Sequence, residues 1–167
     1  MKPLGPLNGK SFATSISLWI ITVDALEAFK VSGPAPEINL APHLEEKENS
    51  HYSIDVKVEL QTGDSTTTVV SESQARDLYW STQQMCAHLA SSGCGLQTGE
   101  VLGTGTVSGP SESELGCLLE VTKGGKVPFR LSDGGKRTYL EDRDVVRMTA
   151  VAGEGVGFGE CVGRLVG

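Results

Sequence analysis

The sequence has no long apolar run. Its 167 residues contain no hydrophobic stretch near the ~20 residues that a membrane-spanning helix needs, so we expect no membrane partner. The opening residues Met1 to Pro6 also lack the apolar segment of a secretory signal. Both absences favour a soluble, intracellular protein.

Basic residues are scarce and scattered along the chain. Fourteen Lys and Arg stand against 21 Asp and Glu, which gives a formal net charge of -7 and a pI near 4.9. Nucleic acids and anionic lipid surfaces are bound by clustered cations, and the sequence contains no such cluster. The charge balance therefore argues against nucleic acid and favours a small metabolite as the partner.

Metal-ligand spacings are also missing. Four cysteines are far apart and show no C-x-x-C pattern, which indicates reduced thiols: Cys86, Cys94, Cys117 and Cys161. The histidines have no neighbouring ligand spacing, so a structural role is the better interpretation of His43, His51 and His88. No zinc site is indicated by these residues.

Strand patterns dominate what is present. Ile54 to Leu60 alternates apolar and charged residues, Gly63-Asp64 is suited to a reversal, and residues 66–70 predict the returning strand of a hairpin. The 21 glycines follow no period and are typical of tight turns between strands. Further strands are predicted at 16–21, 100–107, 118–122, 127–131, 136–140, 144–152 and 160–166.

One long helix is predicted near residues 73–91. Ser73 is a suitable N-cap, residues 74–91 contain neither Gly nor Pro, and Gly93 follows where a helix usually ends. A shorter helical turn is predicted at 24–29, and an exposed, proline-containing loop at 31–51. Together these elements predict one α+β domain, mostly β, with a mixed but largely antiparallel rolled sheet.

Two glycine-rich segments resemble nucleotide-binding loops but fail on spacing. Gly5 and Gly9 are separated by three residues where a phosphate loop needs four, and Ser108 occupies the third glycine position of a dinucleotide fingerprint. Glycines at such points still let a backbone approach a ligand, and a lysine such as Lys10 can stabilise developing negative charge. From the residues alone, both a site and structural turns remain open.

Glu120 is unusual because the predicted strand around it, Leu118 to Val121, is otherwise apolar. A carboxylate in such a strand either faces solvent or is held by a charged or hydrogen-bonding partner. Its position makes it a candidate site residue.

Several blocks, in this order, resemble the fumarylacetoacetase branch of the fumarylacetoacetate hydrolase family. The first is the string Pro3-Leu4-Gly5-Pro6-Leu7-x-Gly9-Lys10-Ser11-Phe12-x-Thr14, followed by Val23-Asp24-Ala25-Leu26. The later blocks are Tyr79-Trp80-Ser81 with Gln83-Gln84 and His88, Gly93-Cys94, Gly105-Thr106-Val107-Ser108-Gly109-Pro110, Leu118-Leu119-Glu120 and Gly157-Phe158-Gly159-Glu160-Cys161-Val162-Gly163. The match runs essentially from end to end, which is more specific than any single motif.

This resemblance implies a metal-dependent hydrolase of a carbon–carbon bond. It would convert 4-fumarylacetoacetate to fumarate and acetoacetate in tyrosine and phenylalanine breakdown, as a cytosolic homodimer that uses Mg²⁺ and Ca²⁺. An enolate is an acceptable leaving group only when fixed cations and donors meet its charge, and a general base must activate the water.

Four residues of this sequence match functional positions of the family. The resemblance implies that Lys10 stabilises the leaving group and lies at the metal site, and that Thr14 belongs to the same metal site. It implies a substrate contact for Thr106, and for Glu120 the role of orienting and charging the general-base histidine. Ala13 departs from the glycine usual in the family.

The general-base histidine, the acidic metal ligands, an Arg and a Gln of the family lie before the matching segment, as does a small β-barrel domain. Residues 1–167 are therefore expected to be a partial C-terminal catalytic domain, with weak or no activity alone. Two alternatives remain open: a non-catalytic module for dimerisation or binding, and another family member acting on 2-oxo acids.

Overall fold

The computed structural model describes residues 13–46, 49–63 and 66–167. Within these ranges the chain forms strands β1 (Lys30–Val31), β2 (His51–Tyr52), β3 (Asp55–Gln61), β4 (Thr67–Gln74), β5 (Phe129–Arg130), β6 (Lys136–Arg137), β7 (Val145–Ala152) and β8 (Val156–Arg164). The α-helices are α1 (Thr82–Ser91) and α2 (Leu118–Val121), and short 3-10 helices lie at Val23–Phe29, Pro42–Leu44, Ala75–Asp77 and Glu112–Glu114. Such a chain, mostly sheet with few helices, agrees with the α+β prediction. No helix in these ranges has the length and apolar character needed to cross a membrane.

The main sheet contains four antiparallel strands in the order β4-β3-β7-β8. The predicted hairpin is confirmed, because β3 pairs with β4 and Leu60 lies opposite Thr68. On its other side β3 pairs with β7, where Leu60 lies opposite Val146. Pairs β1-β2 and β5-β6 form two small separate sheets. The described strands form open sheets, so the rolled sheet stays a prediction.

The hydrophobic core is small. Four apolar side chains are buried in the described ranges: Leu26, Leu60, Leu131 and Ala152. Leu60 is 1% exposed and lies in β3, between two hydrogen-bonded neighbours. Most large apolar side chains of residues 16–23 are exposed instead, Leu18 at 96% and Ile20 at 92%.

The predicted helix at 73–91 is wrong in its first half, because α1 covers only Thr82–Ser91. Ser73 is 3% exposed and pairs with Val56 in the sheet, so it cannot cap a helix. The helix begins at Thr82, because the Ser81 side chain accepts a hydrogen bond from the Gln84 amide and the Gln84 side chain accepts one from the Ser81 amide. Residues 73 and 74, which the sequence predicted to begin the helix, instead form the end of strand β4.

Several predicted strands also change. Residues 16–21 and 100–107 are irregular, and residues 118–121 form α2 instead of a strand. The strands predicted at 127–131 and 136–140 shrink to two residues each, whereas 144–152 is confirmed and the last strand begins earlier, at Val156. A short apolar run forms a strand only where a partner edge is available, and α2 satisfies its own backbone groups locally. All four cysteines are free.

Candidate functional site

The predicted site residues fall in three separate segments. Lys10 lies outside the described residues, so its predicted role is untested by the structure. Thr14 is exposed in the irregular segment that precedes the 3-10 helix at Val23–Phe29. Thr106 is exposed in a loop, and Glu120 is exposed in α2.

The expectation that Glu120 lies in an apolar strand is wrong, because the chain is helical there. Amides of Glu120 and Val121 donate to the Cys117 carbonyl, which starts the turn. The Thr122 hydroxyl donates to the Leu118 carbonyl and accepts from the Gly125 amide, which ends it. This turn places the exposed Glu120 side chain within hydrogen-bond distance of Ser108, in the loop that carries Thr106.

Ser108 joins that loop to α2. Its hydroxyl Oγ donates to Glu120 Oε2 at 2.7 Å and accepts from the Gly116 amide at 3.0 Å. A serine hydroxyl has one proton, so the carboxylate receives it while the amide uses a lone pair. The carboxylate of Glu120 is thus fixed by a side chain that is itself tied to the backbone.

Gly116 brings Thr106 into the same cluster. A Cβ at Gly116 would lie 2.2 Å from the Val107 carbonyl oxygen and 2.8 Å from Thr106 Cγ2, so only glycine permits this contact. Gly105 has φ +77°, which turns the chain directly before Thr106. The structure therefore brings together two predicted site residues, Thr106 and Glu120, around Gly116 and Ser108.

The 3-10 helix Glu112–Glu114, with its capping box at Ser111, adjoins the loop that carries Thr106. The Gly109 amide donates to the Glu114 carbonyl at 3.0 Å, and the Ser111 amide donates to Glu114 Oε2 at 2.8 Å. Hydrogen bonds from the Ser111 hydroxyl and amide lower the pKa of the Glu114 carboxyl. This turn fixes the end of the Thr106–Pro110 segment.

A cavity of about 480 Å³ connects these segments to the main sheet. Ala13 and Ser15, the neighbours of Thr14, line it together with Gly116 and Cys117, while Thr14 is not among its lining residues. Val58, Leu60, Met148 and Gly163 form its sheet side. The segment that follows Lys10 in sequence and the segment that precedes Glu120 thus border one cavity.

The described residues do not form a metal site by themselves. No group of three or more His, Cys, Asp or Glu in ranges 13–46, 49–63 and 66–167 could hold a metal ion. Thr14 offers one hydroxyl, and Mg²⁺ and Ca²⁺ prefer several oxygen ligands that include carboxylates. Any such ion would need ligands from elsewhere.

Sequence reasoning missed Ser108 and Gly116 as members of the site. The sequence indicated Ser108 as the residue that breaks a dinucleotide fingerprint and as a member of the block Gly105 to Pro110, but not as a partner of Glu120. A signal was present in the Thr-Val-Ser-Gly-Pro block, since serine before Gly-Pro is common in turns that bind their own backbone. The partner Glu120, twelve residues away, could not be deduced from local sequence.

Residues 1–166 match the family model described as "Fumarylacetoacetate (FAA) hydrolase C-terminal". The chain is similar to a protein named "Fumarylacetoacetase" from Arabidopsis thaliana, with 45% identity over 168 residues, 98% of this chain and 40% of the relative. It is 44% identical over 170 residues to "Fumarylacetoacetase fahA" from Aspergillus fumigatus, 98% of this chain and 39% of the relative. A human "Fumarylacetoacetase" is 36% identical over 168 residues, again 98% of this chain and 40% of the relative. The chain spans about 40% of the length of these curated relatives.

Proposed function

Because this chain belongs to the fumarylacetoacetate hydrolase family, we propose that it is the C-terminal part of the catalytic domain of a fumarylacetoacetase. The reaction is the hydrolysis of 4-fumarylacetoacetate to fumarate and acetoacetate, in tyrosine and phenylalanine breakdown. The observation that carries the proposal is similarity over 98% of this chain to relatives that all bear this enzyme name.

The proposed roles of the residues follow from the reaction. Cleavage of the carbon–carbon bond leaves negative charge on acetoacetate, and a fixed ammonium such as that of Lys10 stabilises this charge. Thr106 contacts the substrate, and Glu120 orients and charges a general-base histidine that lies outside this chain. The Thr106–Ser108–Glu120 cluster supports these two assignments, because it holds both residues on one rigid loop and helix pair.

The proposed metal is Mg²⁺ or Ca²⁺, with Lys10 and Thr14 as the members of its site from this chain. The carboxylates of the described residues form no group that could hold such an ion, so we assign its acidic ligands to the rest of the catalytic domain.

Three further features belong to the proposal. First, the catalytic domain forms a rolled sheet, to which this chain contributes the strands β4-β3-β7-β8. Second, the enzyme is a homodimer. Third, it acts in the cytoplasm. Among the described strands, the two outer strands of the main sheet, β4 and β8, each have one edge without a partner strand, which supports the first of these because further strands can add at such an edge.

The experiment compares this chain alone with a joined protein. In the joined protein, the part of the Arabidopsis relative that precedes its matching region is fused in front of this chain. Fumarylacetoacetate consumption is measured with Mg²⁺ present. We expect little or no turnover by the chain alone, turnover by the joined protein, and loss of that turnover on Lys10→Ala.

Lys126→Ala, at an exposed lysine remote from the Thr106 loop in sequence, is the matched control and should retain activity. A folded joined protein without turnover would contradict the proposed function, and dimerisation without turnover would favour a non-catalytic module. A preference for a smaller acylpyruvate over fumarylacetoacetate would favour another branch of the family. Turnover that survives Lys10→Ala would remove the proposed role of Lys10.

A further inference from the structure

The hydroxyl of Ser108 reaches both Glu120 and the backbone that precedes α2. The Oγ to Oε2 distance of 2.7 Å is that of a charge-assisted hydrogen bond, and the Gly116 amide supplies the second contact at 3.0 Å. The amide donates to Oγ, which makes the hydroxyl proton available only in the direction of Glu120.

Glu120 needs such a partner because its side chain is exposed. A free glutamate on the first turn of a four-residue helix samples several rotamers, since three torsions rotate freely in solvent. The bond from Ser108 engages Oε2, and among the described residues Oε1 accepts no side-chain hydrogen bond. One carboxylate oxygen is thus held, and the other keeps its lone pairs for a further partner.

We propose that Ser108 is a positioning residue, which fixes Glu120 so that Oε1 faces the general-base imidazole supplied by the rest of the domain. This inference rests on the proposed function, because it requires that Glu120 orient a histidine. Ser108 touches neither substrate nor reacting atoms; it acts through Glu120.

The competing explanation is that Ser108 only locks the loop to Gly116. The two differ in what happens to Thr106, the proposed substrate contact. A loose loop displaces Thr106 and weakens substrate binding, which raises KM. A misplaced Glu120 affects the step in which water is activated, which lowers kcat and leaves KM unchanged.

The test uses the joined protein described above, with variants at Ser108. We expect Ser108→Ala to lower kcat by about 10- to 100-fold, as misplacement of a catalytic group does, while KM stays within about twofold. Ser108→Thr keeps the hydroxyl and should restore most of kcat. Ser132→Ala, at an exposed serine whose side chain makes no hydrogen bond among the described residues, is the control that should match the unmutated protein.

A double-mutant cycle gives the sharpest outcome. If Ser108 acts through Glu120, Glu120→Gln and the double variant should lower kcat by the same factor. Removal of Ser108 has no further effect once the carboxylate that it positions is gone. Additive losses would overturn the proposal. A rise in KM with unchanged kcat, or failure of Ser108→Thr to restore activity, would also overturn it.

A second arm uses this chain alone and needs no activity. In ¹H–¹⁵N spectra, Ser108→Ala should move the Gly116 amide signal and speed its hydrogen exchange, and Ser108→Thr should restore both. An unmoved Gly116 signal would overturn the geometry on which the inference depends. If the unmutated joined protein has no turnover, the proposed function fails and this inference with it. If it has turnover and Ser108→Ala matches it, only this inference fails.

Discussion

Arg137 and Asp144 form a buried ion pair that connects β6 to the start of β7. Arg137 Nε lies 3.2 Å from Asp144 Oδ2, and the Asp144 side chain is 1% exposed. The Glu141 amide also donates to Oδ2 at 2.9 Å, while the Asp144 backbone pairs with Leu165. The hydrogen bond and charge of Asp144 raise the pKa of Arg137.

Asp144→Asn should destabilise this chain strongly. The substitution removes the buried partner of Arg137, whose guanidinium then keeps only the exposed Glu141 carboxylate at 3.3 Å. Breaking a buried pair by removing one partner costs about 3 kcal/mol. Urea unfolding followed by circular dichroism measures the change. Asp142→Asn, at an exposed neighbour, should stay within about 0.5 kcal/mol; equal losses in both variants would refute the prediction.

Ser81→Ala should shorten α1 at its beginning. Ser81 is 2% exposed, caps the Gln84 amide and donates from Oγ to Glu46, so the variant removes a cap and leaves two partners unpaired. The expected loss of unfolding free energy is about 1 to 2 kcal/mol. Thr82→Ala, one residue later and exposed, is the control, and an equal effect there would show that the cap contributes nothing.

Gly116→Ala should displace the loop of the candidate site. The new Cβ would lie 2.2 Å from the Val107 carbonyl oxygen, so the backbone of the Thr106–Ser108 segment must move. We expect about 1 to 3 kcal/mol of destabilisation, typical of overpacking, and shifted amide signals for residues 106–109. Gly103→Ala adds a Cβ into open space and should leave those signals in place.

The Glu114 carboxyl should titrate below its ordinary value of 4.5. The lowered pKa means that the ionised form favours the folded turn, so this contribution is fully present above pH 4.5 and is lost as pH falls through the lower folded pKa. A carbon-detected NMR titration measures it. Ser111→Ala should raise the Glu114 pKa towards the ordinary value, whereas Ser132→Ala should not, and an unchanged titration in both would contradict the assignment.

This chain alone should self-associate through residues 16–23. Leu18 and Ile20 are 96% and 92% exposed, and an apolar segment of this kind is covered in a stable protein. Gel filtration at rising concentration should show larger species, and the double variant Leu18→Lys, Ile20→Lys should move them towards the monomer. Val166→Lys, an exposed apolar position near the C-terminus, is the control. A sharp monomer peak of the unmutated chain at high concentration would contradict the prediction.

The hairpin β3–β4 and the long strand β7 could be predicted from sequence because their signal is local. Alternation with period two assigns the residues of β3 to opposite faces of the sheet, and β7 is a run rich in β-branched residues that ends before Gly153. The helix was harder, because residues 73 and 74 satisfy helix preferences while the edge of β3 offers them hydrogen bonds as the end of β4. Tertiary pairing outweighed propensity there.

The sequence by itself determined the family of this chain, the order of its strongest strands, and Thr106 and Glu120 as candidate site residues. Only the tertiary structure decided that Glu120 lies on a helical turn, that Ser108 holds it, and that Gly116 brings Thr106 alongside. The physical reason is the separation along the sequence over which each kind of signal acts. Periodicity and composition act over neighbouring residues, whereas a hydroxyl bridging residues 108, 116 and 120 exists only after two loops have packed against each other.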